Sequence, residues 1–509
     1  GSRGLASAVA NLLTQGTANY SSKELAEEVE NLGASLHASS SSDNTTISAS
    51  ALVMYRGEMM RLIAEILFTP TFPEDELKLY KENTLKSLEF QRSQADFLAD
   101  EQTSRIIYGS HPYAKVSPTP QQIENLSREM LVNFHAEKMI PNNAMLIVVG
   151  DVNREELLVE LNRTFGEWKQ GSVEKQEFAV PPTRSERTLT IVDRVGSAQS
   201  NIVLSNLGVE RTNPDYFPII VMNQILGAGA SSRLFMNIRE DKGYTYGAYS
   251  SFDSRRLTGS FEATAEVRSE VTGDSLKEFF YELNRIRDEK VSENEIQDAK
   301  NYLTGVFPIR AETQEGLTNL IVAQKLYGLP DDYLQTYREK IDAVTIDDIQ
   351  RVANQYIQPD KLAMIIVGDA EEILKQAKSY TEKIEIFDTD GKPQDIAKYM
   401  QKTDEPAANV NGQWNLVIDF QGQSLPVSFD LIQMDSTFTG DFESPFGKGK
   451  INQGTINGSK IKAAIEVDFQ GQKLEVSLNA NVENETSIKG LLVSQMEGLP
   501  DLPFTGNKN

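Results

Sequence analysis

Two hydrophobic periods alternate along most of this chain. Stretches such as GEMMRLIAEIL and DSLKEFFYELNRI place apolar residues every three or four positions, the spacing of an amphipathic helix. TTISASALV and GSFEATAEVRS alternate apolar with polar residues, as antiparallel strands with one solvated face do. The mixture lacks the strict strand–helix alternation of a doubly wound sheet. The class expected is therefore α+β, with helices packed on mainly antiparallel sheets.

One long segment occurs twice. MIPNNAMLIVVGDVNREELLVEL, around Met139, is answered by YIQPDKLAMIIVGDAEEILKQA, around Tyr356. Each joins a proline turn to a buried, β-branched strand ending in Gly-Asp, at Gly150 and Gly368, and then opens a helix led by acidic residues. So long a repeat predicts two homologous lobes, residues 1–180 and 186–387, and not a solenoid. Beyond Phe387 the texture changes. Residues 388–411 are polar and rich in turn formers, a linker around one short helix. From 412 to 509 short alternating strands are separated by Gly and Asn turns, which predicts a small antiparallel barrel or sandwich. It too repeats: VIDFQGQSLPVSFDL matches EVDFQGQKLEVSLNA, and STFTGDFES and TSIKGLLVS are expected as the hairpins that follow. Its aromatic residues Trp414, Phe420, Phe442, Phe446 and Phe469 are expected in its core, not in a ligand cage.

Composition narrows the function. A chain of 509 residues exceeds one hydrophobic core. Its net charge of −24 repels phosphate backbones, so nucleic acid is not an expected partner. No apolar run approaches the roughly 20 residues that span a bilayer. Cysteine is absent, which excludes disulfides, thiolate nucleophiles and cysteine metal sites. The chain opens on Gly1-Ser2-Arg3 and enters a helical pattern at once; an upstream segment, including any signal peptide, is expected to have been removed or left out.

The stretch GLASAVANLLTQGT, from Gly4 to Thr17, resembles the first-lobe motif of the pitrilysin/insulinase family of zinc metallopeptidases, roughly GLAHxxEHMxFxGT. The frame and the closing Gly16-Thr17 match, but the chemistry does not. The family's first histidine falls on Ser7, its glutamate base on Ala10 and its second histidine on Asn11. Two imidazoles one helical turn apart hold zinc, and the glutamate beside them activates its water. A hydroxyl, a methyl and a carboxamide do neither. The family's third ligand falls near NTLKSLEFQ, with Leu88 in frame and Glu89 adjacent. The chain's histidines, His37, His111 and His135, lack the i, i+4 spacing of a zinc helix, and each is expected to be hydrogen-bonded or solvated. The family usually has about two strands before this motif; Gly1-Ser2-Arg3 resembles the end of the missing strand, so a loop between Arg3 and Gly4 is expected to be absent too.

The resemblance covers both lobes and is most specific in SAQSNIVLSNLGVERTNPDYFPIIVMNQILGAGASSRLFMNIREDKGYTYGAYSS. In the family, an arginine and a tyrosine seven positions later face the zinc lobe and hold the peptide; Arg239 and Tyr246 match that spacing. An arginine's directed donors and a phenol suit a peptide carbonyl or a developing oxyanion. Tyr244 shares the expected strand face, so only the family spacing selects Tyr246. Residues 33–52 resemble the first lobe's edge strand, which would pair with extended substrate through Ser35, His37, Ser39 and Ser41; they read equally as a serine-rich edge kept polar.

Two-lobed members of this family often work as heterodimers, one chain bringing zinc and the other the arginine–tyrosine pair. The resemblance thus implies a non-catalytic, substrate-binding subunit without its own metal or cofactor. Its partner would be a zinc-bearing homologous subunit, or a second copy of itself, acting on a peptide. The alternative is a non-enzymatic structural or peptide-binding scaffold subunit. Family habit points to a bacterial periplasm or cell envelope.

Overall fold

The computed structural model describes residues 4–173, 176–400, 407–420, 423–444, 447–469, 472–494 and 502–508. Gly1, Ser2 and Arg3, and with them the expected strand end, lie outside the described residues. Helices and sheets mix through the lobes, and a closed antiparallel barrel ends the chain.

The best-formed sheet lies in the second half. β3 (Thr188–Asp193), β4 (Gln199–Leu207), β5 (Thr245–Ser254), β6 (Gly259–Arg268), β7 (Ala363–Gly368), β8 (Ile384–Asp388) and β9 (Pro393–Gln394) stand in the order β5-β6-β4-β7-β3-β8-β9. Most neighbours are antiparallel; β3 pairs in parallel with both β7 and β8. One face carries the helices Tyr216–Leu226, Thr272–Asp288, Ile346–Tyr356 and Ala370–Ala377, whose Met222, Phe279, Ile349 and Ile373 are sealed in a common core. The other face is covered by the Ala95–Tyr108 helix from the first half of the chain: Leu98, Ala99 and Ile107 pack on Val192, Val203, Ile365 and Val367. Covered on both faces, β7 is buried at every position, which is why its sequence is an unbroken apolar run and not an alternation.

The first lobe differs from expectation. Its sheet is the hairpin of β1 (Ser35–Ser40) and β2 (Thr45–Ser50), surrounded by the helices Leu5–Leu12, Ser22–Asn31, Arg56–Phe68 and Glu74–Arg92. Residues 144–150, the repeat copy of β7, were expected as a buried strand. They form no strand, and Met145 and Leu146 are each 52% exposed. The reason is missing neighbours: β7 lies between β3 and β4, whereas no described strand pairs with 144–150.

The barrel runs up and down through β10 (Gly412–Phe420), β11 (Gln423–Met434), β12 (Thr437–Ser444), β13 (Gly447–Asn457), β14 (Lys460–Phe469), β15 (Gln472–Asn484), β16 (Ser487–Ser494) and β17 (Leu502–Lys508). β10 closes on β17, so no edge is left open. STFTGDFES and TSIKGLLVS, expected as hairpins, are the single strands β12 and β16, each paired with both neighbours. Trp414 and Phe442 sit in the core with Phe429, Phe438 and Phe504, and the Trp414 indole donates to Val410 O at 2.8 Å. Phe446 and the side chains of Phe420 and Phe469 lie outside the described residues. Before the barrel, the short helix Ala397–Met400 is pinned by Tyr399, whose hydroxyl donates to Asp193 Oδ2 at 2.8 Å. Among the described residues no helix is long and apolar enough to cross a membrane.

Candidate functional site

The Leu5–Leu12 helix presents the positions where the resemblance places zinc chemistry. Ser7 and Asn11 are exposed one turn apart, while Ala10 is buried at 1% exposure. Asn11 opens onto a cleft of about 490 Å3 against the Glu74–Arg92 helix, lined also by Gln15, Glu76, Tyr80, Asn83 and Ser87. Leu88 is buried at its wall and Glu89 is exposed. Amides, hydroxyls and one carboxylate do not match a zinc donor set of imidazoles, thiolates or clustered acids. Among the described residues no group of three or more His, Cys, Asp or Glu could hold a metal ion. The residues do not fit zinc.

The histidines stand apart from this cleft. His111 is buried, its Nδ1 accepting from Tyr113 N at 3.2 Å. His135 Nε2 lies 2.8 Å from Leu67 O, and burial lowers its pKa. His37 is exposed on β1, beside exposed Ser39 and half-buried Ser35 on the same strand face. Ser41 is not part of that row. It lies in the hairpin turn, where its Oγ accepts from Asp43 N and Asn44 N, because a serine at a turn competes for local backbone donors. Among the described residues β1 pairs with β2 on one side only.

In the second lobe Arg239 belongs to a π-helix, Phe235–Asp241. Wide turns of this kind are rare and recur at functional positions. Its guanidinium contacts the Glu240 carboxylate and lies 5.3 Å from the Phe235 ring centroid. The helix ends in a turn in which Gly243, at φ 64°, donates its N–H to Arg239 O at 3.1 Å. β5 follows with a bulge between Thr245 and Ala248. A bulge re-aims side chains, and it falls on Tyr246, which is 92% exposed. Tyr244 lies ahead of the strand and packs on the lobe core, so the two tyrosines do not share a face as expected.

Behind the π-helix lies a cleft of about 1000 Å3 floored by charge. Arg233 Nε and Nη2 donate to the two Glu295 oxygens at 2.7 and 3.2 Å, a bidentate pair that ties the helix start to the Glu293–Glu312 helix. Burial alone would raise the Glu295 carboxyl, but Arg233 and the Ser292 amide outweigh it and hold it down to about 2. Asn237 donates to Glu282 at 2.9 Å, and burial pushes the Glu282 carboxyl up in spite of that bond and of Arg285. Sequence reading marked Arg233 only within the family likeness. Its partner and Glu282 gave no signal, because nothing local links residues 233, 282 and 295.

The geometry is that of a peptidase-like scaffold whose would-be zinc helix carries no zinc donors. Residues 1–119 match the family model for insulinase (peptidase family M16), and residues 125–303 match that for the peptidase M16 inactive domain. Together these span more than half of the chain, which belongs to the M16 peptidase family as a homologue of its inactive kind. The protein of Bacillus subtilis (strain 168) named uncharacterized zinc protease YmxG is 21% identical over 371 residues, 71% of this chain and 88% of that protein. The Helicobacter pylori protein named non-peptidase homolog YmxG is 24% identical over 384 residues, 72% of this chain and 85% of its own. A solved peptidase M16 inactive domain from Pseudomonas fluorescens shares the fold at a TM-score of 0.68 and 26% identity, over 72% of this chain and 89% of that one.

Proposed function

We propose that this chain is the non-catalytic, substrate-binding subunit of a two-subunit zinc metallopeptidase, with the metal held by a homologous partner. The observation that carries this reading is Tyr246, left 92% exposed at a strand bulge beside the π-helix that bears Arg239. Exposing so large an aromatic side chain has no benefit for folding. A guanidinium and a phenol offer donors suited to a bound peptide carbonyl and to the oxyanion that forms when a partner's zinc-bound water attacks it. The row of half-buried Ser35 and exposed His37 and Ser39, and the one-sided pairing of β1 among the described residues, suit addition of an extended peptide as a further strand.

The test is reconstitution with a zinc-bearing two-lobed homologue from the same genome, scored by cleavage of a peptide library. The purified chain cleaves nothing alone and the mixture does. Arg239→Ala lowers kcat of the mixture about 100-fold, the scale of losing one oxyanion donor, and leaves the affinity of the subunits unchanged. Equal loss of assembly and turnover would refute the division of labour.

A further inference from the structure

The barrel is held to the second lobe by a specific polar seam. Lys462, on β14, places Nζ 2.6 Å from Asp369 Oδ2 and 3.8 Å from Glu372. Lys460 pairs with Glu371. Asn479, on β15, donates to Gly196 O at 2.9 Å, and Gly196 N donates to Asp369 Oδ2 at 2.9 Å. One carboxylate thus serves a barrel lysine and a lobe loop at once. It also caps the Ala370–Ala377 helix, accepting from the amides of Glu371 and Glu372 through Oδ1. Asp369 is 3% exposed and Asn479 9%. Burial raises the Asp369 carboxyl, but Lys462 and the Gly196 amide outweigh it and hold it below its ordinary value. Gly196 has φ +80°, and a Cβ there would meet the Asn479 side chain at 2.2 Å. The contact is built to close tolerance.

The loop gripped by this seam continues toward Arg239. Ser197 O accepts from Ser269 Oγ at 2.8 Å, and Ala198 O accepts from Ser269 N at 2.9 Å. The adjoining Arg268 donates through Nη1 to Gly243 O at 3.1 Å, in the turn that closes on Arg239 O. Strand register puts all of these at one end of the sheet: Gln199 pairs with Arg268, and Thr245 with Val267. β7, which ends at Gly368 just before Asp369, stands three strand spacings from β5, or about 14 Å.

We propose that the barrel is a built-in positioning element, whose docking on Gly196 and Asp369 fixes the 194–198 loop, the Arg268–Ser269 corner and thereby the turn between Arg239 and Tyr246. Asn479 and Lys462 are then positioning residues for that turn. The consequence for peptide handling rests on the function proposed above; the mechanical coupling does not, and it is measured without substrate.

Backbone hydrogen exchange on the full chain tests it. Asn479→Ala removes the donor without straining the lobe, and Gly196→Ala places a methyl group against Asn479. In both variants exchange at 194–198 rises about fivefold, the scale of one lost hydrogen bond. The rise reappears at 239–246, while β3 and β7 stay protected. Lys462→Arg, which keeps the ion pair, exchanges as the wild type does. Faster exchange confined to 194–198, or no change at either segment, overturns the proposal. Propagated exchange with unaltered activity in the reconstituted mixture upholds the coupling and counts instead against the role given to Arg239 and Tyr246.

Discussion

The two lobes hold near-copies of one segment and treat them differently. In β7, Ile365, Ile366 and Val367 are fully buried between two strands and two helical layers. In the first-lobe copy, Ile147, Val148 and Val149 are half-buried, and Met145 and Leu146 face solvent. Both runs are equally β-branched and both end in Gly-Asp before a capped helix, at Asn153 and Asp369. Strand propensity is thus permissive and neighbours decide. The start of the helix that follows is set locally in both copies, because its cap bonds the helix's own first amides.

The sharpest break in this comparison is a matched pair of truncations. Ile365→Ala costs about 2–5 kcal/mol of second-lobe stability, since it empties a sealed core position. Ile147→Ala, the same change in the copy, costs under about 1 kcal/mol. Denaturant midpoints of the two variants check this, and equal losses would show that 144–150 is packed as tightly as β7.

Next in size are the two arginine staples. Arg233→Ala removes a nearly buried bidentate pair and costs about 2 kcal/mol. Arg56→Ala, in the first lobe, removes one bond of 2.8 Å from Arg56 Nε to Glu160 and costs about 1 kcal/mol. Thermal melts of both variants rank them.

Acid sharpens the same contrast. The folded Glu295 carboxyl is held well below its ordinary 4.5, so its contribution is fully present above that value and is lost as pH falls toward about 2. Glu295→Gln therefore flattens the acid limb of second-lobe unfolding between those values, read by circular dichroism. A limb as steep as the wild type's would assign the acid loss to other carboxylates. The smallest effect is on the first-lobe surface, where Lys23 and Glu27 are both solvent-exposed; Lys23→Ala changes the unfolding midpoint by less than about 0.5 kcal/mol in free energy.

The misfit of the zinc-motif positions to a zinc donor set was legible because metal chemistry is written in residue type: Ser7, Ala10 and Asn11 sit on one short helix whose register is local. The barrel was legible as short alternating strands with paired repeats, though the alternation could not say whether β12 was half of a hairpin or a full stave. The edge row was read one residue too far, because turn chemistry at Ser41 outweighs the serine pattern. The two tyrosines could not be told apart by period, since a bulge resets alternation and becomes visible only when β5 is set against β6.

Taken alone, the amino-acid order determined which residue types stand at the zinc-motif positions, the internal repeat and the helix caps, all of which depend on residue type and on neighbours a few positions away. Only tertiary structure decided which β-branched run became a strand, which carboxylates shifted, which tyrosine faced solvent, and where the barrel docked. Those outcomes depend on groups brought together from distant positions, as with Asp369, Gly196, Lys462 and Asn479 at one seam. No local pattern specifies such a meeting, because the free energy that holds it belongs to burial and to geometry that exist only in the folded chain.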